Sequence, residues 1–504
     1  MDYQPIVGLE IHTELKTETK MFCSCKNNSS ETRPNINICP ICMGYPGTLP
    51  VINKEALLMV IKTGLALNCA VQDEIYFERK NYFYPDLPKG YQISQYKAPI
   101  CKDGYLDIIT SSKKRTTRIK IQRIHLEEDT AKLLHPEGKD YSLVDFNRAG
   151  IPLMELVTQP DIRSAKEARG FAQELQLILK YLGVSDADME KGQMRIEVNI
   201  SLLATSSRQP AASKKLGTKV EIKNLNSFLA VERAINYEAK RQEEILRRKG
   251  KVIQETRGWD NIRGETRTQR IKEESQDYRY FPEPDLPPLQ LTNYKLQLTK
   301  TMPELPRRKR ERIRKEYQLS NQEIEILIKN KELSNYFEKV ISELQNWQGI
   351  EGISQSQLPS LVKLAVNYLE TDLIGLIKER KRKVSDLKIT PENFAELISI
   401  IWKKEVSSRA GKIILREMFD TGADPTYIIR KKDLKQVSDE KEIRELVEKV
   451  IKENPKAVKD YKKGKKNALQ FLIGGVMRVT KGKTDPRITQ KIVQEILIDL
   501  SKEV

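Results

Sequence analysis

Prolines divide this 504-residue chain into two parts with different patterns of apolar residues. Residues 281–288 (FPEPDLPP) contain four prolines, which cannot donate the hydrogen bonds of a helix and indicate a domain exit. Before this stretch, short alternating runs rich in β-branched residues and interrupted by glycine and proline predict an α/β region. After about residue 305, long charged helical periods predict an all-α region.

The length of the chain also argues for several domains, since roughly two to four are expected at this size. Thr390-Pro391 and Asp485-Pro486 predict helix starts, because a capping side chain precedes a proline at the first helical position. The composition shifts again near residues 405–415. We therefore predict an α/β domain with a mixed or antiparallel sheet at residues 1–294, an all-α helical domain at 295–408 and an all-α tail at 409–504.

Positive charge is concentrated near the carboxyl-terminal end. The formal net charge is +18, and residues 451–490 hold 11 basic and 3 acidic residues, a net charge of +8. Basic groups that neutralise phosphates release counterions, so this concentration favours a nucleic-acid partner. The alternative is a solvated basic surface.

Signals for membranes or export are absent from the sequence. No window approaches the ~18 apolar residues that a membrane span needs. The first residues show no basic region followed by an apolar run. We expect a cytoplasmic protein with no membrane partner.

Four cysteines occur as two close pairs. Cys23 and Cys25 are followed, after thirteen residues, by Cys39 and Cys42. Two such pairs joined by a loop have the spacing of a tetrahedral zinc site, and four protein ligands leave no open position. We predict a structural Zn²⁺ site. Disulfides, which are uncommon in the cytoplasm, and unpaired buried thiols are the alternatives.

Two segments each place acids and an imidazole on a strand. In residues 7–15 (VGLEIHTEL), apolar side chains alternate with Glu10, His12 and Glu14, which is also the pattern of an ordinary half-exposed strand. Residues 124–129 (IHLEED) end in three consecutive acids, whose mutual repulsion calls for a cation or a basic ligand. Oxygen and imidazole ligands together suit Mg²⁺ or Mn²⁺. The glycine-rich phosphate motifs of P-loop and dinucleotide-binding proteins are absent.

An aromatic and basic segment follows the cysteine region. Residues 79–92 (RKNYFYPDLPKGYQ) place four aromatic residues beside three cations. Aromatic rings can stack on bases or ribose while Arg and Lys contact phosphate. The alternative is a loop whose aromatic side chains fill the edge of a core.

Taken together, these segments and others resemble one family. The similar segments, in order, are VGLEIH at 7–12, KNYFYPDLP at 80–88, HLEED at 125–129, SLVDFNRAG at 142–150, KVEIKNLNS at 219–227, QETR at 254–257 and DYRYFPEPD at 277–285. The chain closely resembles the GatB/GatE family, whose bacterial members are the GatB component of the heterotrimeric GatCAB aspartyl/glutamyl-tRNA amidotransferase. The likeness spans about residues 3–290 and continues more loosely to a tail that resembles the YqeY family. The chain has no room for the large extra domain of the archaeal GatE proteins.

The resemblance implies a reaction. ATP phosphorylates the side-chain carboxylate of Glu-tRNA(Gln) or Asp-tRNA(Asn), and ammonia then displaces the phosphate to give Gln-tRNA(Gln) or Asn-tRNA(Asn). Both reactants are anionic, so a divalent metal is needed to bridge and neutralise them. The implied partners are the amidase GatA, which makes ammonia from glutamine, and the small protein GatC. Nothing in this chain resembles the serine-rich signature of GatA.

The resemblance also implies site residues. The candidate catalytic residues, which would hold Mg²⁺ and orient ATP, are Glu10, His12, Glu127, Glu128, Glu155 and Glu221, and the first four of these are the proposed Mg²⁺ ligands. The candidate substrate-binding residues are Lys80, Tyr82, Tyr84, Lys89, Tyr91, Arg148 and Arg195. In the tail, the candidate tRNA-binding residues are Lys462, Lys463, Lys465 and Lys466.

The sequence departs from the family pattern at two places. Thr130-Ala131-Lys132 stands where Ala-Gly-Lys is common, and Glu197 stands where Asp is usual.

Two other functions are possible. A nonenzymatic tRNA-binding adaptor would not need the acidic residues, and a self-sufficient amide ligase would need its own source of ammonia. We therefore expect one component of an ATP-dependent amidotransferase.

Overall fold

The structure is a computed structural model. It describes residues 2–110, 115–205, 216–271, 277–347, 354, 356–436, 439–480 and 483–502. Contacts within the chain divide it into two compact units, Met1–Pro306 and Arg307–Val504.

A nine-stranded sheet forms the centre of the first unit. Its strand order is β14-β13-β12-β11-β1-β10-β7-β6-β2, and the described strands pair antiparallel except for β12 and β13, which are parallel. The sheet is thus mixed, as the sequence predicted. Its strands are β1 (Tyr3–Glu14), β2 (Ala70–Val71), β6 (Cys101–Thr110), β7 (Arg115–Glu128), β10 (Pro152–Thr158), β11 (Met194–Ala204), β12 (Val220–Leu225), β13 (Glu255–Asp260) and β14 (Glu265–Ile271).

Three helices cover one face of this sheet. They are α1 (Lys54–Ala66), α2 (Ala165–Leu182) and α3 (Phe228–Arg247), and their apolar residues join the alternate residues of the strands in one buried core. In β1, Val7, Leu9 and Ile11 point into this core, as the alternation predicted. Because strand side chains alternate, Glu10 and His12 point to the opposite face.

Short strands complete the first unit, and one of them lies at the rim of that opposite face, where Ser94 donates a hydrogen bond to Glu127. They form three small sheets, ordered β15-β4-β5, β16-β3 and β8-β9. Their bounds are β3 (Glu74–Ile75), β4 (Glu78–Asn81), β5 (Tyr91–Ser94), β8 (Lys132–Leu134), β9 (Leu143–Asp145), β15 (Phe281–Pro282) and β16 (Leu289–Gln290). The proline-rich stretch therefore belongs to the first unit, which continues through helix α4 (Thr292–Lys300) packed on α1.

Helices make up the second unit, as predicted. They are α5 (Pro306–Tyr317), α6 (Asn321–Lys329), α7 (Lys331–Asn346), α8 (Leu358–Asn367), α9 (Ile374–Glu379), α10 (Pro391–Trp402), α11 (Ser408–Thr421), α12 (Pro425–Lys432), α13 (Glu440–Glu453), α14 (Pro455–Lys462), α15 (Lys466–Val479) and α16 (Pro486–Lys502), with a π-helical turn at Tyr368–Leu373 and a 3₁₀ turn at Val384–Asp386.

The two predicted helix starts in this unit are confirmed. The side chain of Thr390 accepts a hydrogen bond from the backbone N–H of Asn393, and α10 begins at Pro391. Asp485 accepts from the N–H of Arg487, and α16 begins at Pro486. In the described parts of the chain, no helix has the length and apolar character to cross a membrane. The predicted boundary at 408/409 stays a prediction.

Candidate active site

Strand register gathers the acids and imidazoles on the uncovered face of the sheet. His12 of β1 lies opposite Glu155 of β10, which in turn lies opposite His125 of β7. On the same face, Leu153 of β10 pairs with Glu127, which is two residues beyond His125 on β7. Residues directly opposite each other share a face, so side chains from three strands converge although they are far apart in sequence.

Glu155 lies at the middle of this group. Its Oε2 is 3.2 Å from His12 Nε2 and 3.6 Å from His125 Nε2. His12 Nε2 is also 3.8 Å from Glu127 Oε1 and 3.9 Å from Glu10 Oε1. His125 Nε2 is 3.6 Å from Glu127 Oε2. We call these five residues, Glu10, His12, His125, Glu127 and Glu155, the acid–imidazole cluster.

His125 was not among the sequence candidates. The signal that could have found it was its position two residues before Glu127, which puts both side chains on the same strand face. Its side chain is 4% exposed, and its Nδ1 is buried without a hydrogen-bond partner. An unpaired buried nitrogen is costly unless something occupies the space in front of it.

The pKa values of the cluster residues are set by burial and by the charges of neighbouring groups. Burial disfavours the charged form of His12, but the hydrogen bond to Glu155 and the charges of Glu155, Glu127 and Glu10 outweigh burial and raise its pKa to about 9. Burial would likewise raise the pKa of Glu127, but Lys80 and His125 outweigh it and lower that pKa to about 2. The pKa of Glu10 is raised by burial and by Glu155.

These side chains fit a divalent cation. One ligand atom each from Glu10, His12 and Glu155 lie within 4.8 Å of one another, and so do atoms from His125, Glu127 and Glu155. The two groups share Glu155, and the donors are carboxylate oxygens and imidazole nitrogens, which suit Mg²⁺ or Mn²⁺.

Glu128, a proposed Mg²⁺ ligand, is not brought into this cluster. Its Oε1 accepts a hydrogen bond from the backbone N–H of Ile93 at 2.9 Å and pairs with the ammonium group of Lys89. Both side chains line a separate cavity of about 240 Å³ that also borders Cys23 and Cys42. Lys89 is thereby placed at Glu128, and its predicted role in substrate binding stays a prediction.

Glu221 lies further along the same polar face. It accepts a hydrogen bond from Thr256 Oγ1 at 2.8 Å, and Lys223 Nζ is 3.5 Å from its Oε1. Lys223 also pairs with Glu197 at 3.0 Å, and Glu197 lies opposite Glu10 in the register of β1 and β11. The polar face therefore continues beyond the cluster as a patch of alternating charge.

Two of the predicted substrate-binding residues flank a buried carboxylate. Arg195 Nη2 lies 2.6 Å from Asp129 Oδ2, and Arg148 Nε lies 3.6 Å from the same oxygen. Arg148 also donates hydrogen bonds to the carbonyl oxygens of Thr130 and Ala131, at 2.9 Å each. The turn in which this chain departs from the family pattern is thus held by Arg148.

The remaining substrate-binding candidates lie at the rim. Lys80 is close enough to the cluster to lower the pKa values of Glu127 and Glu155. Tyr82 is half-buried, whereas Tyr84 is 56% exposed. The ring of Tyr91 lies beneath the Arg79 guanidinium group at 4.3 Å.

The four predicted zinc ligands converge. The sulfur atoms of Cys23, Cys25, Cys39 and Cys42 lie within 4.8 Å of one another, and all four residues are free cysteines. A hydrogen bond from Cys23 and the charge of Lys20 lower the pKa of Cys42 to about 5, against the effect of burial. The same hydrogen bond raises the pKa of Cys23, so the support for Zn²⁺, which binds thiolates, comes from the convergence of the four sulfur atoms and from the nearby charge of Lys20.

In the tail, the basic loop joins α14 to α15. Gly464 has φ +81°, a conformation that favours glycine. Lys462 Nζ donates to the carbonyl oxygen of Leu500, and Lys465 Nζ pairs with Asp460 at 2.9 Å. Lys463 is exposed, and the side chain of Lys466 lies outside the described residues.

The fold and the site together define a class of α/β protein, one that carries a buried acid–imidazole cluster suited to a divalent cation and is followed by a helical region. Within that class, the chain belongs to the GatB/GatE family. Residues 5–297 match the family description "GatB/GatE catalytic domain", and residues 351–497 match "GatB domain".

Several relatives match over nearly the whole chain. The B subunit of the aspartyl/glutamyl-tRNA(Asn/Gln) amidotransferase from Persephonella marina is 48% identical over 498 residues, which is 99% of this chain and 100% of the relative. The proteins of the same name from Caldicellulosiruptor saccharolyticus and Thermotoga maritima are 46% and 45% identical over 99% of both chains.

Proposed function

We propose that the chain is the GatB component of an ATP-dependent amidotransferase that acts on Glu-tRNA(Gln), Asp-tRNA(Asn) or both. In this reaction the side-chain carboxylate is phosphorylated by ATP and then amidated with ammonia supplied by the amidase GatA. A third, small protein, GatC, completes the assembly. The relatives are named as one subunit of an amidotransferase, which supports a complex of several chains.

The observation that carries the proposal is the acid–imidazole cluster. Glu155 is buried between two imidazoles, and Lys80 supplies positive charge at the same place. A fixed set of acids with a nearby ammonium group is what a site for two anionic reactants requires. A divalent cation held by Glu10, His12, His125, Glu127 and Glu155 would neutralise charge on the phosphates and on the substrate carboxylate.

The residues of the chain itself supply binding and orientation. Lys80 faces the cluster from the rim and can hold a carboxylate or a phosphate by charge. Beyond the cluster, Lys223 is kept in place by Glu197 and Glu221 on the same sheet face. Such side chains on the strands of a rigid sheet suit the close positioning of two reacting groups.

The alternative of a nonenzymatic tRNA-binding adaptor is disfavoured by this cluster. Burying Glu127 and Glu155 to 2% and 4% exposure beside each other costs stability through repulsion and lost hydration. An adaptor has no use for that arrangement.

The test is Glu155→Gln, assayed in the assembled complex with ammonia supplied directly. Supplied ammonia bypasses GatA, so only the chemistry proposed for this chain is measured. We expect kcat/KM for Gln-tRNA formation to fall by at least about 100-fold while tRNA binding is retained. Glu137→Gln, in an exposed loop, is the matched control and should behave as the parent. Normal turnover in Glu155→Gln would support the adaptor instead.

A further inference from the structure

Four tyrosine rings form a continuous row at the rim of the polar face. Tyr96 and Tyr280 are stacked, with centroids 4.8 Å apart and planes 14° from parallel. The ring of Tyr280 meets Tyr278 edge to face at 6.1 Å, and Tyr278 meets Tyr82 in the same way at 5.9 Å. We call these four residues the tyrosine row. Three of them, Tyr96, Tyr278 and Tyr280, were not among the sequence candidates.

The backbone around the row is held rigidly. The backbone N–H of Asn81 on β4 donates a hydrogen bond to the carbonyl oxygen of Tyr278 at 3.0 Å. The side-chain amide of Asn81 donates to the carbonyl oxygen of Arg279 at 2.8 Å. Arg279 has φ +45°, a strained conformation for a residue with a side chain, and Asp277 accepts its N–H at 2.9 Å. Strain of this kind is retained where neighbouring structure enforces it, often at ligand-binding segments.

Tyr96 at the outer end is fixed in a different way. Glu78, which is fully buried, accepts hydrogen bonds from the backbone N–H groups of Tyr96 and Lys97, each at 2.8 Å. The Tyr96 residue is nevertheless 55% exposed. An aromatic ring that is rigidly mounted and open to solvent is a preformed stacking surface, because little side-chain freedom is lost when a ligand binds.

Beyond Tyr280, the row lies beside Lys80, which adjoins the acid–imidazole cluster. Lys80 Nζ lies 5.2 Å from the centre of the Tyr278 ring, and the same ammonium group lowers the pKa of Glu127. The row therefore leads from solvent, at Tyr96, to the place where the carboxylate of the substrate must be activated.

We infer that the tyrosine row is the binding subsite for the 3′-terminal adenosine of the aminoacyl-tRNA, whose base extends the stack formed by Tyr96 and Tyr280. This inference rests on the proposed function. Bases stack on aromatic rings with little dependence on sequence, which suits a terminal nucleotide common to every tRNA. The aminoacyl group joined to that nucleotide would then point along the row towards Lys80.

An adenine ring could also come from ATP, and the position of the row favours the tRNA end. Its outer end is open to solvent, since Tyr96 is 55% exposed. A nucleotide at the end of a large RNA enters from this open side with its chain trailing into solvent. The experiment below separates the two sources.

The test uses the full-length chain and two RNA minihelices with acceptor stems that differ only in the terminal adenosine. The parent should bind the complete minihelix about tenfold more tightly than the shortened one. Tyr96→Ala should lose this preference. The effects of removing the ring and removing the base on the binding free energy should therefore not be additive. Tyr96→Phe, which keeps the ring, should retain the preference. Tyr141→Ala is the matched control, since Tyr141 is 53% exposed in the same unit, and it should also retain it.

Each other outcome has a defined meaning. A Tyr96→Ala chain that still prefers the complete minihelix tenfold overturns the inference and leaves the proposed function standing. The same holds if Tyr96→Ala weakens ATP binding instead, because the ring would then belong to the adenine of ATP. A parent chain that binds neither minihelix contradicts the proposed function itself, and the inference falls with it.

Discussion

At the scale of single residues, the chemistry of the site depends on proton and charge sharing between buried groups. His12 is surrounded by Glu155, Glu127 and Glu10, whose charges keep a proton on its ring. A neutral imidazole is needed to bind a metal, so a metal entering this group must displace that proton. The affinity for a cation should therefore depend on pH in a direction that the structure specifies.

We predict that Mn²⁺ binding to the cluster strengthens as pH rises from 7 to 8. The pKa of His12 is about 9, so the ring is mostly protonated at both values, and loss of one proton per metal gives about a tenfold gain in affinity per pH unit. Calorimetric titration in buffers with different ionisation enthalpies measures both the affinity and the proton released.

The control for this titration is another histidine. His12→Gln should abolish most of the pH dependence, whereas His135→Gln should preserve it, because His135 is exposed and bonded to Ser142. An equal pH dependence in both variants would show that His12 does not hold the proton in question.

At the scale of elements, the cysteine knuckle, residues 23–42, is attached to the sheet domain by a buried lysine. Lys20 has 0% exposure, and its Nζ donates to the carbonyl oxygens of Asn37 at 2.7 Å and Phe146 at 3.2 Å. The same ammonium group lies 3.8 Å from Cys42 Sγ. A buried cation is costly unless it is paired, and four thiolates on one Zn²⁺ leave negative charge that a lysine can balance.

We predict that Lys20→Met weakens zinc retention. The variant removes the compensating charge and leaves two carbonyl groups without their donor, at a cost of about 2 kcal/mol or more in unfolding free energy. Transfer of zinc to a chromogenic chelator should become at least about tenfold faster. Lys26→Met, at a lysine next to Cys25 that is not fully buried, is the matched control and should release zinc at the parental rate. Parental zinc retention in Lys20→Met would refute a role for this charge.

At the scale of the whole molecule, the candidate groups for the reactive end of a tRNA and for its body lie in different units. The acid–imidazole cluster and the tyrosine row belong to Met1–Pro306, and the basic loop belongs to Arg307–Val504. The reactive end of a tRNA and its body would then be recognised by separate parts of the chain, and their contributions to binding should be separable by experiment.

We predict that reversing the charge of Lys462, Lys463, Lys465 and Lys466 weakens binding of full-length tRNA and leaves binding of an acceptor-stem minihelix unchanged. Each lost phosphate contact should lower the slope of log affinity against log salt by about one. The matched control reverses four other exposed lysines of the same unit and so makes the same change in net charge; they are Lys441, Lys449, Lys452 and Lys491. If both variants lose affinity equally, the loop is only part of a solvated basic surface.

Features with a short-range cause were predictable from the sequence. The alternation of β1 shows which side chains share a face, because that depends only on the geometry of one strand. Helix starts at Pro391 and Pro486 follow from the residues immediately before them, and the spacing of the four cysteines predicted a zinc knuckle whose sulfur atoms do converge. The change from α/β to all-α pattern near the prolines likewise predicted the order of the two kinds of fold.

Only the tertiary structure decided which strands are neighbours, and with them the make-up of the cluster. β10 lies between β1 and β7, so Glu155 is held between His12 and His125, which no local pattern shows. Adjacent residues on a strand point to opposite faces, so Glu127 joins the cluster while Glu128 pairs with Lys89 instead. The physical reason is range: alternation is a property of one segment, whereas strand order and register depend on hydrogen bonds between segments more than a hundred residues apart.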